Sequence, residues 1–128
     1  MVIRILYVGL GGFLGAVLRY AISGQVQSWS KSIDFPYGTL VVNILGCLAI
    51  GFLSYASESR GFFSAEMRLC VFIGILGSFT TYSTFSNEAM TLLGDGKHLA
   101  ALIYMGTHLF LGLGAVWLGH VLAWQIWR

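Results

Sequence analysis

Ser78-Phe79-Thr80-Thr81-Tyr82-Ser83-Thr84-Phe85-Ser86, with Gly74 and Gly77 just ahead, sets six hydroxyls and three aromatics inside a hydrophobic segment. Lipid offers no hydrogen-bond partner, so a polar run at membrane depth persists only against protein or along a water-filled path. Glycines followed by clustered hydroxyls also point to a locally opened helix, whose freed backbone groups can hold an ion. The stretch reads as a pore or a binding site and not as a lipid-facing surface. The segment around it, at about 67–93, exceeds the roughly 20 residues that one straight span needs. A break between Gly77 and Thr81 accounts for the excess.

Three further apolar segments, at about 2–22, 37–57 and 98–124, use nearly all the remaining sequence. The composition agrees, with 57% of 128 residues hydrophobic, 9% charged and a single proline. The expected fold is an all-α membrane protein, one domain over residues 1–128 with four transmembrane helices, the third broken near its middle. No length is left for a soluble domain. Arg4 precedes an apolar stretch as in a signal peptide, but Gly9, Gly11, Gly12 and Arg19 interrupt it without a small-residue cleavage site, so a retained helix is expected. Cys47 and Cys70 fall within or beside spans and read as apolar packing.

The net charge of +2 is too small to indicate nucleic acid as a partner. Four spans place both termini and the 58–66 connection on one side, with Arg4, Arg60, Arg68 and Arg128. Lys31, Lys97 and Arg19 fall toward the other. So even a split gives little orienting bias, which leaves both insertion directions open and makes an antiparallel homodimer feasible.

Polar residues mark one face of each span. Gly11 and Gly15 form a GxxxG pair that lets another helix approach closely, and Arg19 follows four residues on, as an interfacial anchor or as a cation at the mouth of an anion path. Thr39 and Asn43 share a face of the second span, where the amide is either interhelical glue or an N–H donor to an anion. Tyr82 and Phe85 project from similar faces of the third, and Glu88 follows toward its far end, either buried or interfacial. Tyr104, His108 and Gly112 form one stripe on the fourth. Trp117, Trp124, Trp127 and Arg128 read as an interface belt. His108 and His120 are 12 residues apart, roughly 18 Å along a helix, too far to share a metal. No nucleophile elbow, phosphate loop or HExxH motif is present, so an enzyme is not expected.

Three pieces occur in order: Gly11-Gly12-Phe13-Leu14-Gly15-Ala16-Val17-Leu18-Arg19, Gly38-Thr39-Leu40-Val41-Val42-Asn43, and Gly74-Ile75-Leu76-Gly77 running into the opening stretch. Together they resemble the Fluc family of fluoride channels along essentially the whole chain. The resemblance implies an antiparallel, dual-topology homodimer with two fluoride pores in a bacterial inner membrane. It implies a passive, constitutively open channel that releases cytoplasmic fluoride. A structural sodium ion would sit on the two-fold axis, held by the backbone carbonyls of Gly77 and Thr80 from both chains. Asn43 would be a pore amide near an aromatic box of Tyr82 and Phe85. Tyr104 and His108 would form a polar track, with Thr39, Ser83 and Thr84 near the path and Arg19 toward the vestibule.

Three positions depart from the family's pattern: Tyr82 where phenylalanine is usual, Ser78 as the second of a glycine pair, and Gly112 where a serine can occur. Two other readings stand beside this one. A small dual-topology proton-coupled drug exporter needs an acid within the membrane, typically in the first span, which here has none. A noncatalytic membrane assembly subunit would use the polar stripes only as glue and carry no flux.

Overall fold

The computed structural model describes residues 1–127, so the expectations placed on Arg128 lie outside the described residues. Four helical spans account for almost all of them: α1 (Val2–Ser30), α2 (Tyr37–Arg60), a third span Ala65–Gly94 in two halves, and α5 (His98–Trp127). The halves are α3, residues 65–79, and α4 (Tyr82–Gly94). Among the described residues there is no strand, and both cysteines are free.

All four predicted spans are too short, the fourth by three residues, since its helix runs to Trp127 where 124 was expected. α1 runs eight residues past the expected end at 22, through a polar segment read as a connection. Polarity there marks the edge of the lipid and not the end of the helix, since no proline intervenes and Gly24 keeps a negative φ within the helix, which runs on to Lys31 with φ 53 as the cap. Gln27 then staples the turn: its Nε2 donates to Ser32 O (2.7 Å) and Phe35 O (3.2 Å), and its Oε1 accepts from the Gly38 N–H (3.1 Å). That last bond satisfies one of the orphan donors in the first turn of α2. α2 itself continues to Arg60, and the third span covers 65–94 where 67–93 was expected.

α3 contains an unpredicted feature. Leu69–Leu76 is wound as a π-helix between the short α-helical turns Ala65–Arg68 and Gly77–Phe79. It lies against α1, and the GxxxG pair is what lets it do so. A side chain at Gly11 would strike the Cys70 carbonyl, and one at Gly15 would strike the Ile75 carbonyl and the Ser78 hydroxyl. The opposite seam joins α2 to α5 by the same device, with Gly51 against the Val116 carbonyl and Gly119 against the Leu48 carbonyl. Small residues at both seams bring backbones close, as expected where lipid removes the hydrophobic drive between helices.

Trp127 packs its ring against Phe52 and Phe62 and accepts a hydrogen bond at its carbonyl from Arg60 Nη2 (2.6 Å). Trp117 lies ten residues earlier, about 15 Å back along α5, with 68% of its surface exposed. It is therefore set apart from the terminal group expected to act as one belt.

Candidate functional site

The third span opens at Thr80 and Thr81, inside the interval that the sequence marks. Both are extended, with φ/ψ of −85/157 and −151/119. In an unbroken helix the Thr81 N–H would bond the Gly77 carbonyl. Here it donates to Asn43 Oδ1 (2.9 Å), while Asn43 Nδ2 donates back to the Thr81 carbonyl (3.1 Å). The Thr84 N–H, which would bond the Thr80 carbonyl, goes instead to Thr81 Oγ1 (3.2 Å), the N-cap of α4. The carbonyls of Gly77 and Thr80 are thus both released from their helical partners.

The six hydroxyls of the motif divide by use. Ser78, Thr80 and Ser86 donate back to carbonyls of their own helices, to Gly74 and Ile75, to Leu76, and to Tyr82 respectively. Such back-bonding satisfies a hydroxyl locally and helps bend a helix. Thr81, Ser83 and Thr84 instead gather at the start of α4, with Thr81 Oγ1 2.9 Å from Thr84 Oγ1 and 3.4 Å from Ser83 Oγ. Ser83 and Thr84 are exposed.

From Asn43 a line of polar groups runs through the bundle. Asn43 Nδ2 lies 3.2 Å from His108 Nε2, and His108 Nδ1 lies 3.0 Å from the Tyr104 carbonyl. The Tyr104 hydroxyl donates to Glu88 Oε2 (2.6 Å), and Thr39 Oγ1 donates to Glu88 Oε1 (2.9 Å). Phe85 backs the line, its ring centroid 4.4 Å from His108 and 5.5 Å from Tyr104. Tyr82 extends this group outward, 5.7 Å from Phe85 and 81% exposed.

Two clefts flank this line. One, about 490 Å³ and mainly apolar, is bordered by Asn43, Cys47, Thr80, Phe85, His108 and Gly112. The other, about 420 Å³, is bordered by Thr39, Glu88, Gln27, Asp34, Asp95 and Lys97. Tyr104, with none of its surface exposed, stands between them. The structure therefore brings Thr39, Asn43, Phe85, Tyr104 and His108 together. Arg19 sits on α1, one turn past Gly15, and among the described residues no hydrogen bond or ion pair joins it to this network.

Sequence reasoning left Glu88 undecided, and the fold makes it the acceptor for both hydroxyls at one end of the line. The available signal was its spacing from Phe85, one turn away on the same face. The partnership of Asn43 with a backbone unit 38 residues distant had no local signal.

An opened span, close-packed glycine seams and a hydrogen-bonded line between two clefts define an integral membrane protein with a polar path in its interior. A family model, CrcB-like protein, Camphor Resistance (CrcB), matches residues 6–120. The chain is 46% identical over 119 residues to "Fluoride-specific ion channel FluC 1" of Methanosarcina acetivorans, covering 93% of this chain and 89% of that one. It is 42% identical over 116 residues to "Fluoride-specific ion channel FluC" of Nitratidesulfovibrio vulgaris (91% and 93%) and 44% identical over 118 residues to that of Hydrogenovibrio crunogenus (92% and 89%). The chain belongs to the CrcB, or FluC, family. It is a multi-pass protein of the inner membrane, and its family is one of channels and not of enzymes.

Proposed function

We propose that this chain forms a passive fluoride-selective channel that releases cytoplasmic fluoride and so lowers fluoride toxicity. The observation that carries the reading is the line Asn43–His108–Tyr104–Glu88–Thr39 between two clefts, in a chain whose relatives are named fluoride-specific channels. Fluoride is small and strongly hydrated, so a narrow path must replace its water with N–H and O–H donors. The Tyr104 and Thr39 hydroxyls are such donors. Both now donate to Glu88, and an anion takes them only by displacing that carboxylate. Phe85 and Tyr82 can turn the positive edges of their rings toward an anion. Weak, distributed contacts of this kind allow exit, where a tight site would trap the ion.

The working unit in this proposal is an antiparallel, dual-topology homodimer with a structural sodium ion at its centre. The released carbonyls of Gly77 and Thr80 fit that role, being oxygen donors with partial negative charge and without their helical partners. A cation bound there neutralises them and adds positive potential beside an anion path. Ser83, Thr84 and Arg19 are assigned to the approaches to the path, outside its hydrogen-bonded core.

Family membership favours this reading over the drug exporter and the assembly subunit. The deciding experiment is fluoride efflux from liposomes carrying the purified protein, followed with a fluoride electrode beside a chloride control. Rapid fluoride release without chloride release is expected. Absence of flux from a verified, sodium-containing dimer would sink the function.

A further inference from the structure

The Thr81 backbone fixes the orientation of the Asn43 side chain. A flipped amide would set oxygen against the Thr81 carbonyl and NH2 against the Thr81 N–H, losing both bonds. The atom beside His108 Nε2 is therefore the amide nitrogen, a donor, and Nε2 must accept. At the other side of the ring, the Tyr104 carbonyl can only accept, so Nδ1 carries the proton. Every donor in this chain of bonds has its acceptor for one protonation state of His108 alone.

We propose that His108 is a positioning residue for Asn43: its neutral ring, protonated on Nδ1, accepts the second Asn43 N–H and releases it when Nε2 gains a proton. Protonation would face N–H against N–H2, breaking the 3.2 Å contact and turning the ring. The freed amide N–H and the imidazolium then both face the cleft that Asn43 and His108 border. Around the ring, α2 contributes Cys47 to the same cleft, α4 contributes Glu88 and Tyr82 at one remove, and α5 contributes Tyr104. Glu88 is the formal charge in this set, and it reaches the ring only through Tyr104. Two added donors, one of them charged, hold an anion longer and slow its passage.

The tautomer follows from geometry alone, whereas the effect on flux rests on the fluoride-channel reading. Nitrogen-15 spectra of histidine-labelled protein in liposomes at neutral pH test the first part, with His108 assigned by its loss in H108Q. A bare Nε2 and a protonated Nδ1 are expected, and a ring protonated on Nε2 overturns the proposal. For the second part, fluoride efflux is compared at about pH 7.5 and about pH 5.5, subtracting the leak of protein-free vesicles. Wild-type flux falls about threefold or more on acidification, and flux through H108Q does not change with pH. Glutamine can still accept the Asn43 N–H, so H108Q conducts several times faster than H108L. Equal flux through H108Q and H108L, or a flat wild-type profile, overturns the positioning role. A wild-type protein without flux defeats the channel reading instead, and the spectrum still decides the tautomer.

Discussion

Asn43 and Thr81 exchange two hydrogen bonds, 2.9 Å and 3.1 Å, so a side chain on α2 stands in for the helical turn that the third span gives up. Asn43→Ala leaves a backbone N–H and a C=O unpaired at membrane depth, at about 1–3 kcal/mol for each such group. The expected result is a loss of at least about 2 kcal/mol in stability, read from denaturation in detergent, together with loss of flux. Asn43→Asp still accepts from the Thr81 N–H but turns an oxygen toward the Thr81 carbonyl. It too weakens the fold and stops fluoride efflux.

The glycines of α1 are not equivalent. Gly11→Ala and Gly15→Ala drive a methyl into α3 carbonyls and destabilise by about 1–3 kcal/mol, because backbone cannot move aside as a side chain can. Gly12 faces open space, so Gly12→Ala is tolerated and gains up to about 1 kcal/mol of helix propensity. Melting curves of the three variants in one detergent separate these outcomes.

Tyr104→Phe removes one of the two hydroxyls on Glu88 while leaving the buried ring in place. A hydrogen bond to a charged group contributes about 1.5–3 kcal/mol, and its loss at a narrow point lowers fluoride flux by about tenfold or more. Glu88→Gln replaces the carboxylate by an amide that can accept from only one oxygen. If flux through both variants equals wild type, the Tyr104–Glu88 contact lies off the path.

Lys97 bonds Asp34 across the mouth of the second cleft, with Asp95 3.9 Å away, and both partners are well exposed. The hydrogen bond to Asp34 raises the lysine above its ordinary value, against the opposing pull of desolvation. A raised lysine lends its stability fully below the unfolded pKa and loses it as pH climbs through the folded one. Between about pH 6 and about pH 9 the pair therefore contributes constantly, and Asp34→Asn changes melting by the same small amount throughout. A pH-dependent difference between Asp34→Asn and wild type in that window would contradict the assignment.

Hydropathy made the four spans legible, and the run from Gly77 to Ser86 located the break. Both signals are local: one is average polarity, the other a cluster of hydroxyls that lipid cannot satisfy. The end of α1 was hidden because polar residues such as Gln25 and Ser28 are as helical as apolar ones once outside the lipid. The π-helical stretch Leu69–Leu76, packed against Gly11 and Gly15 of α1, carries no mark of residue type. Thr39, Asn43, Phe85, Tyr104 and His108 were legible as polar or aromatic members of helical faces, but their partnerships were not. Whether Asn43 bonds its neighbours or only the path, and where Glu88 finds its donors, depends on the packing of α2 and α5 around the break.

The clamp on the break has an order in time. Chains emerge from the ribosome amino end first, so Asn43 is made before Thr81 and is available in the membrane when the opened backbone arrives. A nascent third span thus meets its surrogate partner at once, without waiting for α5. His108 comes last and completes the circuit, which makes the final helix the step that seals the assembly rather than the one that begins it.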